Sequence, residues 1–180
     1  NQMLRILDVG CGKESVAQLV FQTDDKKITR LDAFEENKPD VLHDITKPLP
    51  EELKGSYDIV YASHVLEHID RESVHTTIKN LVDALAPMGE LWITVPSLEW
   101  AARELLANHD GVHVQLMIFG GQNNYLDYHR CGFTLRSLRK MMELNDLIVR
   151  KAYQAPFQIS YGDKFFDCVQ NIVIGLKYQE

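Results

Sequence analysis

LRILDVGCGKE, Leu4 to Glu14, joins an apolar run ending in an acid to a Gly-Cys-Gly turn. Leu4, Ile6, Leu7 and Val9 are near-continuous rather than alternating, the pattern of a parallel strand covered on both faces. Gly10 and Gly12 carry no side chain to obstruct a sharp reversal of the chain. The apolar stretch Val16 to Phe21 then reads as the start of a helix. Strand, glycine turn and helix in that order predict the first unit of an open α/β sheet. Such sheets take nucleotide-like ligands at the carboxyl ends of their strands.

Outward from this unit the chain keeps the same rhythm. Lys27 to Leu31 is a short strand closed by Asp32, and Val41-Leu42 is a very short one followed by His43, Asp44 and Ile45. Pro39, Pro48 and Pro50 break the region between into loop. Tyr57 to Ala62 reads as a buried strand after the Gly55-Ser56 turn. Asp70 is a candidate cap for a helix that places Val74, Ile78, Leu81 and Leu85 on one face and stops at Pro87 and Gly89. Glu90 to Val95 is another strand, and Leu98 to Leu106 a helix. Val112 to Phe119 is apolar and fits either state. Gly120 to Asn124 is loop, and Thr134 is a candidate N-cap for a helix carrying Leu135, Leu138 and Met142. Leu147 to Tyr153 and Cys168 to Leu176 are two late strands. Their connection, with Pro156 and Gly162, is too short for a crossover helix, so they are expected to be antiparallel neighbours. No repeat, low-complexity segment or linker divides the chain, and one domain over residues 1–180 is expected.

Composition sets the outer limits. A chain of 180 residues can bury one sizeable core. A formal charge of −7 argues against non-specific binding to nucleic acid. Cys11, Cys131 and Cys168 are far apart and form no Cys-x-x-Cys pair, so neither a zinc knuckle nor a disulfide framework is expected. That usage suits a reducing, cytoplasmic compartment, and no apolar run is long enough to span a membrane. Asn1-Gln2 reads as a cloning remnant.

Taken together, LDVGCGKE, Asp32, Asp44, YDIVYASHVLEHI (Tyr57 to Ile69) and GELWITVP (Gly89 to Pro96) resemble the class I S-adenosylmethionine-dependent methyltransferases, over roughly Leu4 to Leu176. The resemblance implies a Rossmann-like, doubly wound, seven-stranded sheet, mostly parallel with an antiparallel last strand, and helices on both faces. It implies S-adenosylmethionine as methyl donor and in-line transfer to an oxygen or nitrogen of a small-molecule or glycan acceptor. VQLMIFGGQNNYLDYHRCGFT (Val114 to Thr134) is similar to small methyltransferases linked to polysaccharide or lipopolysaccharide synthesis. The chain departs from the family in two places: Lys13 and Glu14 stand where a further glycine is common, and the helical extension that often precedes the first strand is not expected here. Whether a second subunit covers the front of the site, as in a homo-oligomer, is left open.

The resemblance assigns roles that the residues can chemically fill. The backbone of Gly10 and Gly12 would pass close to the ligand, and Asp8 would orient the turn or meet the ligand's ammonium group. Asp32, at the tip of the second strand, can accept from both ribose hydroxyls. Asp44 would accept from the adenine amine while Ile45 packs on the ring. Ser63, His64 and Leu66 would line the methionine end. His68 and His129 are candidate general bases, since imidazole titrates near neutral pH. Gln122, Asp127 and Arg130 would meet the acceptor, the arginine fork suiting an anionic group. The plainer alternatives are a turn cap for Asp8, a loop acid for Asp44 and structural hydrogen bonds for the histidines. His109, Asp110 and His113, taken with His129, lack a compact ligand spacing, and no metal is expected. Trp92 and Trp100 are expected to pack, and Cys11 to be a small packed residue.

Two other functions compete. A dinucleotide-dependent oxidoreductase would want the third glycine of Gly-x-Gly-x-x-Gly, where this chain has Ser15. A non-catalytic module could keep the fold without the chemistry.

Overall fold

The computed structural model describes residues 3–178; Asn1 and Gln2, read above as a cloning remnant, lie outside them. Seven strands form one sheet in the order β3-β2-β1-β4-β5-β7-β6. β1 (Leu4–Val9), β2 (Lys26–Asp32), β3 (Val41–Leu42), β4 (Tyr57–Ser63) and β5 (Leu85–Pro96) are mutually parallel. β7 (Lys164–Lys177) lies antiparallel between β5 and β6 (Leu147–Tyr161). The winding reverses between β1 and β4, which opens a crevice at the carboxyl ends of those two strands.

The near-continuous apolar strands have the reason expected of them. Leu7 and Val9 join Val60, Ala62, Leu91, Ile93 and Val95 on one face. Helices α2 (Val74–Ala84) and α5 (Leu135–Glu143) cover that face with Ile78, Leu81, Leu138 and Met142. Ile6, Ile59 and Tyr61 point to the other face, under Ala17 and Phe21 beside Trp92. Phe21 meets Tyr61 and Trp92 edge-on at 5.5 and 5.0 Å. Burying each such side chain contributes about 1.5–3 kcal/mol, so the first face supplies most of the stability.

Several local expectations are corrected. The helix expected over Val16 to Phe21 is a single turn, α1 (Ala17–Val20). Only Ala17 and Phe21 find apolar partners while Leu19 is 73% exposed, and no side chain caps the turn. So short a helix has little to hold further turns. Asp70 makes no capping bond; α2 is reached through a 3-10 turn, Arg71–Ser73, and Asp70 pairs with Arg130 instead. Helix α2 ends at Ala84, and Leu85 already pairs with Tyr57 in the sheet. Pro87 cannot continue a helix and drives the preceding Ala86 to extended backbone, so the chain is in the strand by then.

The ambiguous Val112 to Phe119 segment is a helix, α4 (Val112–Phe119), packed on α3 (Leu98–Leu106) and ended by Gly120 at φ +79°. Thr134 caps α5 as expected, in a reciprocal box with Ser137. The late strands run through their expected connection as one long hairpin turning at Gly162-Asp163. Gly162, at φ +59°, supplies the positive φ that matches a tight turn to strand twist. Pro156 is tolerated because β6 is the sheet edge.

Candidate functional site

The glycine turn is built by β2. Leu31 carbonyl accepts from Gly10 and Cys11 N–H, folding the turn over the end of its neighbour strand. Asp32 then fixes it. One carboxylate oxygen accepts from Gly12 N–H at 2.9 Å and the other from Phe34 N–H at 2.9 Å. The Cys11 thiol also lies 3.9 Å from the oxygen bound by Gly12, and the oxygen bound by Phe34 keeps a further acceptor position. Gly10 and Gly12 both adopt φ near +60°, which L side chains rarely tolerate. A Cβ on Gly10 would lie 2.4 Å from Val65 Cγ2, whereas one on Gly12 would meet nothing within 4 Å. The turn is therefore clamped against the post-β4 segment at Gly10 and faces open space at Gly12.

Asp8 lies beneath this turn, 3% exposed, and accepts from the Ser15 hydroxyl. Burial pushes its carboxyl above the ordinary range, more than that bond and nearby Arg30 pull it down. Arg30 was not singled out by the sequence, yet it staples the site. Its guanidinium donates to Gly12 carbonyl at 2.7 Å, to Asn37 carbonyl at 3.0 Å and to Lys13 carbonyl at 3.2 Å. A cation two residues before the strand-tip acid was the available signal. Lys13 and Glu14 themselves are exposed.

Asp44 is exposed and uses one oxygen on Thr46 N–H (2.9 Å) and hydroxyl (2.7 Å). Burial pushes its carboxyl up, but the two Thr46 bonds outweigh that and leave it below the usual value. Ile45 is only 7% exposed and belongs to the main core. Asn80, on α2, holds this loop by donating to Ile45 and Lys47 carbonyls at 3.0 and 2.9 Å.

The segment after β4 carries the site's chemistry. Ser63 ends the strand, and His64 takes a left-handed φ of +54°, uncommon for a side-chain-bearing residue. Leu66 is fully buried in the main core, so it is through its backbone that it would line the ligand, as expected of this segment. Glu67, which the sequence reading left without a role, is 2% exposed, and neither carboxylate oxygen has a hydrogen bond. Its nearest donor is His64 Nδ1 at 3.3 Å, with His68 Nε2 at 4.0 Å. Burial alone would push its carboxyl up; His64, His68 and His129 outweigh that and hold it below the ordinary range. For His64 the balance runs the other way: burial pulls it down, and Glu67 with Gln170 carries it above the ordinary value. The pattern His-x-x-Glu-His was the readable signal.

His129 is brought here by the chain that follows α4. Arg130 and Cys131 N–H both donate to Glu67 carbonyl, at 2.7 and 3.3 Å, and Cys131 Sγ bonds Leu66 and Ile69 carbonyls. The rings of His68 and His129 meet edge-on with centroids 4.8 Å apart. His68 Nδ1 faces Tyr128 carbonyl at 3.1 Å, and His129 Nδ1 faces Met117 carbonyl at 3.0 Å. A carbonyl can only accept, so both rings carry hydrogen on Nδ1, and Nε2 is the ring nitrogen left for the cluster, that of His68 lying 4.0 Å from Glu67. Burial, the largest influence, pulls His129 below its ordinary pKa and favours the neutral ring.

Beyond His129 opens a cleft of about 630 Å³ lined by Gln122, Asn124, Tyr125, Tyr128, His129 and Arg130. His129 also lines a second, narrow hollow that reaches Glu67, so the ring stands between cleft and buried carboxylate. Arg130 donates to Asp70 at 3.3 Å and lies 4.8 Å over the Tyr125 ring. Asp127 is taken up in its own loop, accepting from Asn123 N–H and side-chain amide. It is not among the cleft-lining residues. His109 pairs with Glu104, and His113 stacks on Phe166, so these two do not join His129.

Comparison with known proteins bears on the family and the fold. The family described as "Methyltransferase domain" matches residues 1–152. A curated relative, methyltransferase grgD of Penicillium sp., is 33% identical over 63 residues, 34% of this chain but only 22% of that protein. A SAM-dependent methyltransferase of Methanosarcina mazei superposes with a TM-score of 0.69 at 14% identity, covering 100% of this chain and 95% of the other. A Burkholderia thailandensis 1,6-didemethyltoxoflavin-N1-methyltransferase, solved with its substrate and S-adenosylhomocysteine, superposes with a TM-score of 0.62 at 12% identity, covering 99% and 72%. The match over most of its length, on the sheet order described above, places this chain in the methyltransferase-domain family, with the class I fold of S-adenosylmethionine-dependent methyltransferases.

Proposed function

We propose that this domain is an enzyme that transfers a methyl group from S-adenosylmethionine to an oxygen or nitrogen of a small-molecule or glycan acceptor. The observation that carries the reading is the Gly12–Asp32 clamp, which joins the turn after β1 to the tip of β2 beside the switch between β1 and β4. The residues fit the donor: the turn borders open space at Gly12, and Asp32 retains an acceptor position for the ribose hydroxyls on the oxygen bound by Phe34. Asp8 would face the ammonium end, and Asp44, held in place by Asn80, the adenine amine. S-adenosylmethionine supplies a methyl on a cationic sulfur, a leaving group that needs no acid.

The protein's task is then to position the acceptor, keep water out and take the proton. Tyr125 and Tyr128 offer aromatic faces and Arg130 a cation at the mouth of the cleft, which suits a sugar-like or anionic acceptor. Gln122 adds a hydrogen-bonding group on the same wall. The proton of an acceptor hydroxyl leaves toward the basic group formed by the His68 and His129 Nε2 atoms and Glu67. Bringing the pair together in line supplies most of the rate.

Isotopically labelled donor, incubated with the enzyme and a panel of glycans, phenols and heteroaromatic amines, tests this reading. Label should appear in an acceptor and fall at least about 100-fold in His68→Ala,His129→Ala, the scale of general-base catalysis. Transfer that is unchanged in the double variant would overturn the assigned role of the histidines.

A further inference from the structure

We propose that Glu67, His68 and His129 form a binding site for one divalent transition-metal ion of the zinc class, at the inner wall of the acceptor cleft. One ligand atom from each of the three lies within 4.8 Å of the others. The grouping is invisible in sequence spacing, because His129 comes from a different part of the chain and is delivered by backbone bonds to Glu67.

Two features separate this cluster from an ordinary polar patch. The first is tautomer control. Tyr128 and Met117 carbonyls occupy Nδ1 of the two rings, so Nε2 is the nitrogen each ring can offer to a metal. Metal-bound histidines are held in this way, by an outer acceptor on the other ring nitrogen. The second is the carboxylate. Glu67 is buried with no hydrogen bond to either oxygen. His64 Nδ1 lies 3.3 Å from Oε1, and a buried carboxylate whose other oxygen has no such partner among the described residues is costly unless something binds it. His64, itself held by Gln170 at 2.9 Å, braces one oxygen from outside the cluster.

Two imidazoles and a carboxylate select zinc, cobalt, iron or nickel over magnesium or calcium, which prefer oxygen donors throughout. Ligand bonds of about 2.0–2.2 Å would require the three donor atoms to close up by side-chain rotation. Three protein ligands leave a coordination position open, and His129 is also a lining residue of the cleft. An acceptor hydroxyl taking that position loses its proton to water as the metal lowers its pKa. Its oxygen then bonds the methyl carbon while the carbon–sulfur bond breaks with both electrons going to sulfur. In the metal-loaded protein the Nε2 lone pairs are on the ion, so the metal replaces the rings as the means of deprotonation. That last consequence rests on the proposed function; metal binding does not.

Chelator-treated protein titrated with cobalt(II), followed by visible absorption, is the test. Wild type should take up one equivalent and show ligand-field bands of low coordination number. His129→Ala, His68→Ala and Glu67→Gln should each weaken binding by more than about 100-fold, beyond what loss of an outer partner costs. His109→Ala, which alters a surface histidine, should bind as wild type. If Glu67→Gln does not fold, the two partly exposed histidines decide the matter. Absence of bands in wild type, or the same bands in His129→Ala, overturns the proposal. Stoichiometric binding with turnover indifferent to chelation supports the site and refutes only its part in acceptor activation.

Discussion

Gly10→Ala puts the geometry of the glycine turn to a quantitative test. The residue has φ +64°, where an alanine costs about 1–2 kcal/mol over glycine. Its new Cβ would lie 2.4 Å from Val65 Cγ2, well inside the 3.5–4.0 Å at which carbon atoms pack. Val65 begins the segment that carries Glu67 and His68, so relief by moving it disturbs that segment as well. Overpacking of this kind costs about 1–3 kcal/mol, giving about 2–5 kcal/mol in all. At about 2–4 °C per kcal/mol for a domain this size, the melting temperature should fall by about 4–20 °C. Urea unfolding of wild type, Gly10→Ala, Val65→Ala and the double variant closes the cycle. Val65→Ala should recover about 1–3 kcal/mol in the Gly10→Ala background and leave the backbone cost of about 1–2 kcal/mol. A coupling energy near zero, or a near-neutral Gly10→Ala, would refute the clamp between the two segments.

Three further expectations rest on single features. Asn80→Ala strands the Ile45 and Lys47 carbonyls and should cost about 1–3 kcal/mol in urea unfolding, with weaker adenosylhomocysteine binding because the Asp44 loop loosens. Unchanged stability would mean that the loop is held elsewhere. Asp8 has a folded-state pKa above its unfolded value, so the folded state binds its proton first; this group's contribution to stability grows as pH falls through the folded pKa and shrinks as pH rises through it. Melting curves across the acid range should show that slope in wild type and lose it in Asp8→Asn; identical slopes would contradict the assignment. Burial pushes the Cys131 and Cys168 thiols up to about 11 and raises Cys11 as well. A thiol-exchange reagent at mildly alkaline pH should therefore leave the native protein largely unlabelled and react with all three cysteines once it is unfolded.

The parts of this molecule that were legible in its sequence are those set by local rules. Buried strands announce themselves as apolar runs, and Gly10, Gly12 and Asp32 mark strand ends within a few residues of them. Thr134 caps its helix by chemistry confined to three residues. The failures have the opposite character. Asp70 looks like a cap, but Arg130, distant in sequence, claims its carboxylate. Arg30, Asn80 and Gln170 act on backbone or side chains brought near by topology alone. The pairing of Glu67 with His129 depends on the Arg130–Glu67 backbone bond, which no spacing rule encodes. The short α1 shows the same limit: the apolar stretch was present, but the partner surface reached only Ala17 and Phe21.

Calorimetric titration with S-adenosylhomocysteine, run on wild type and on Asp32→Asn, addresses the central claim most directly. The account predicts one saturable site per chain in wild type and an affinity at least about tenfold lower in the variant, the cost of losing about one charge-assisted hydrogen bond. Circular dichroism should show both proteins folded. A folded wild-type protein with no measurable affinity, or a variant that binds equally well, would contradict it.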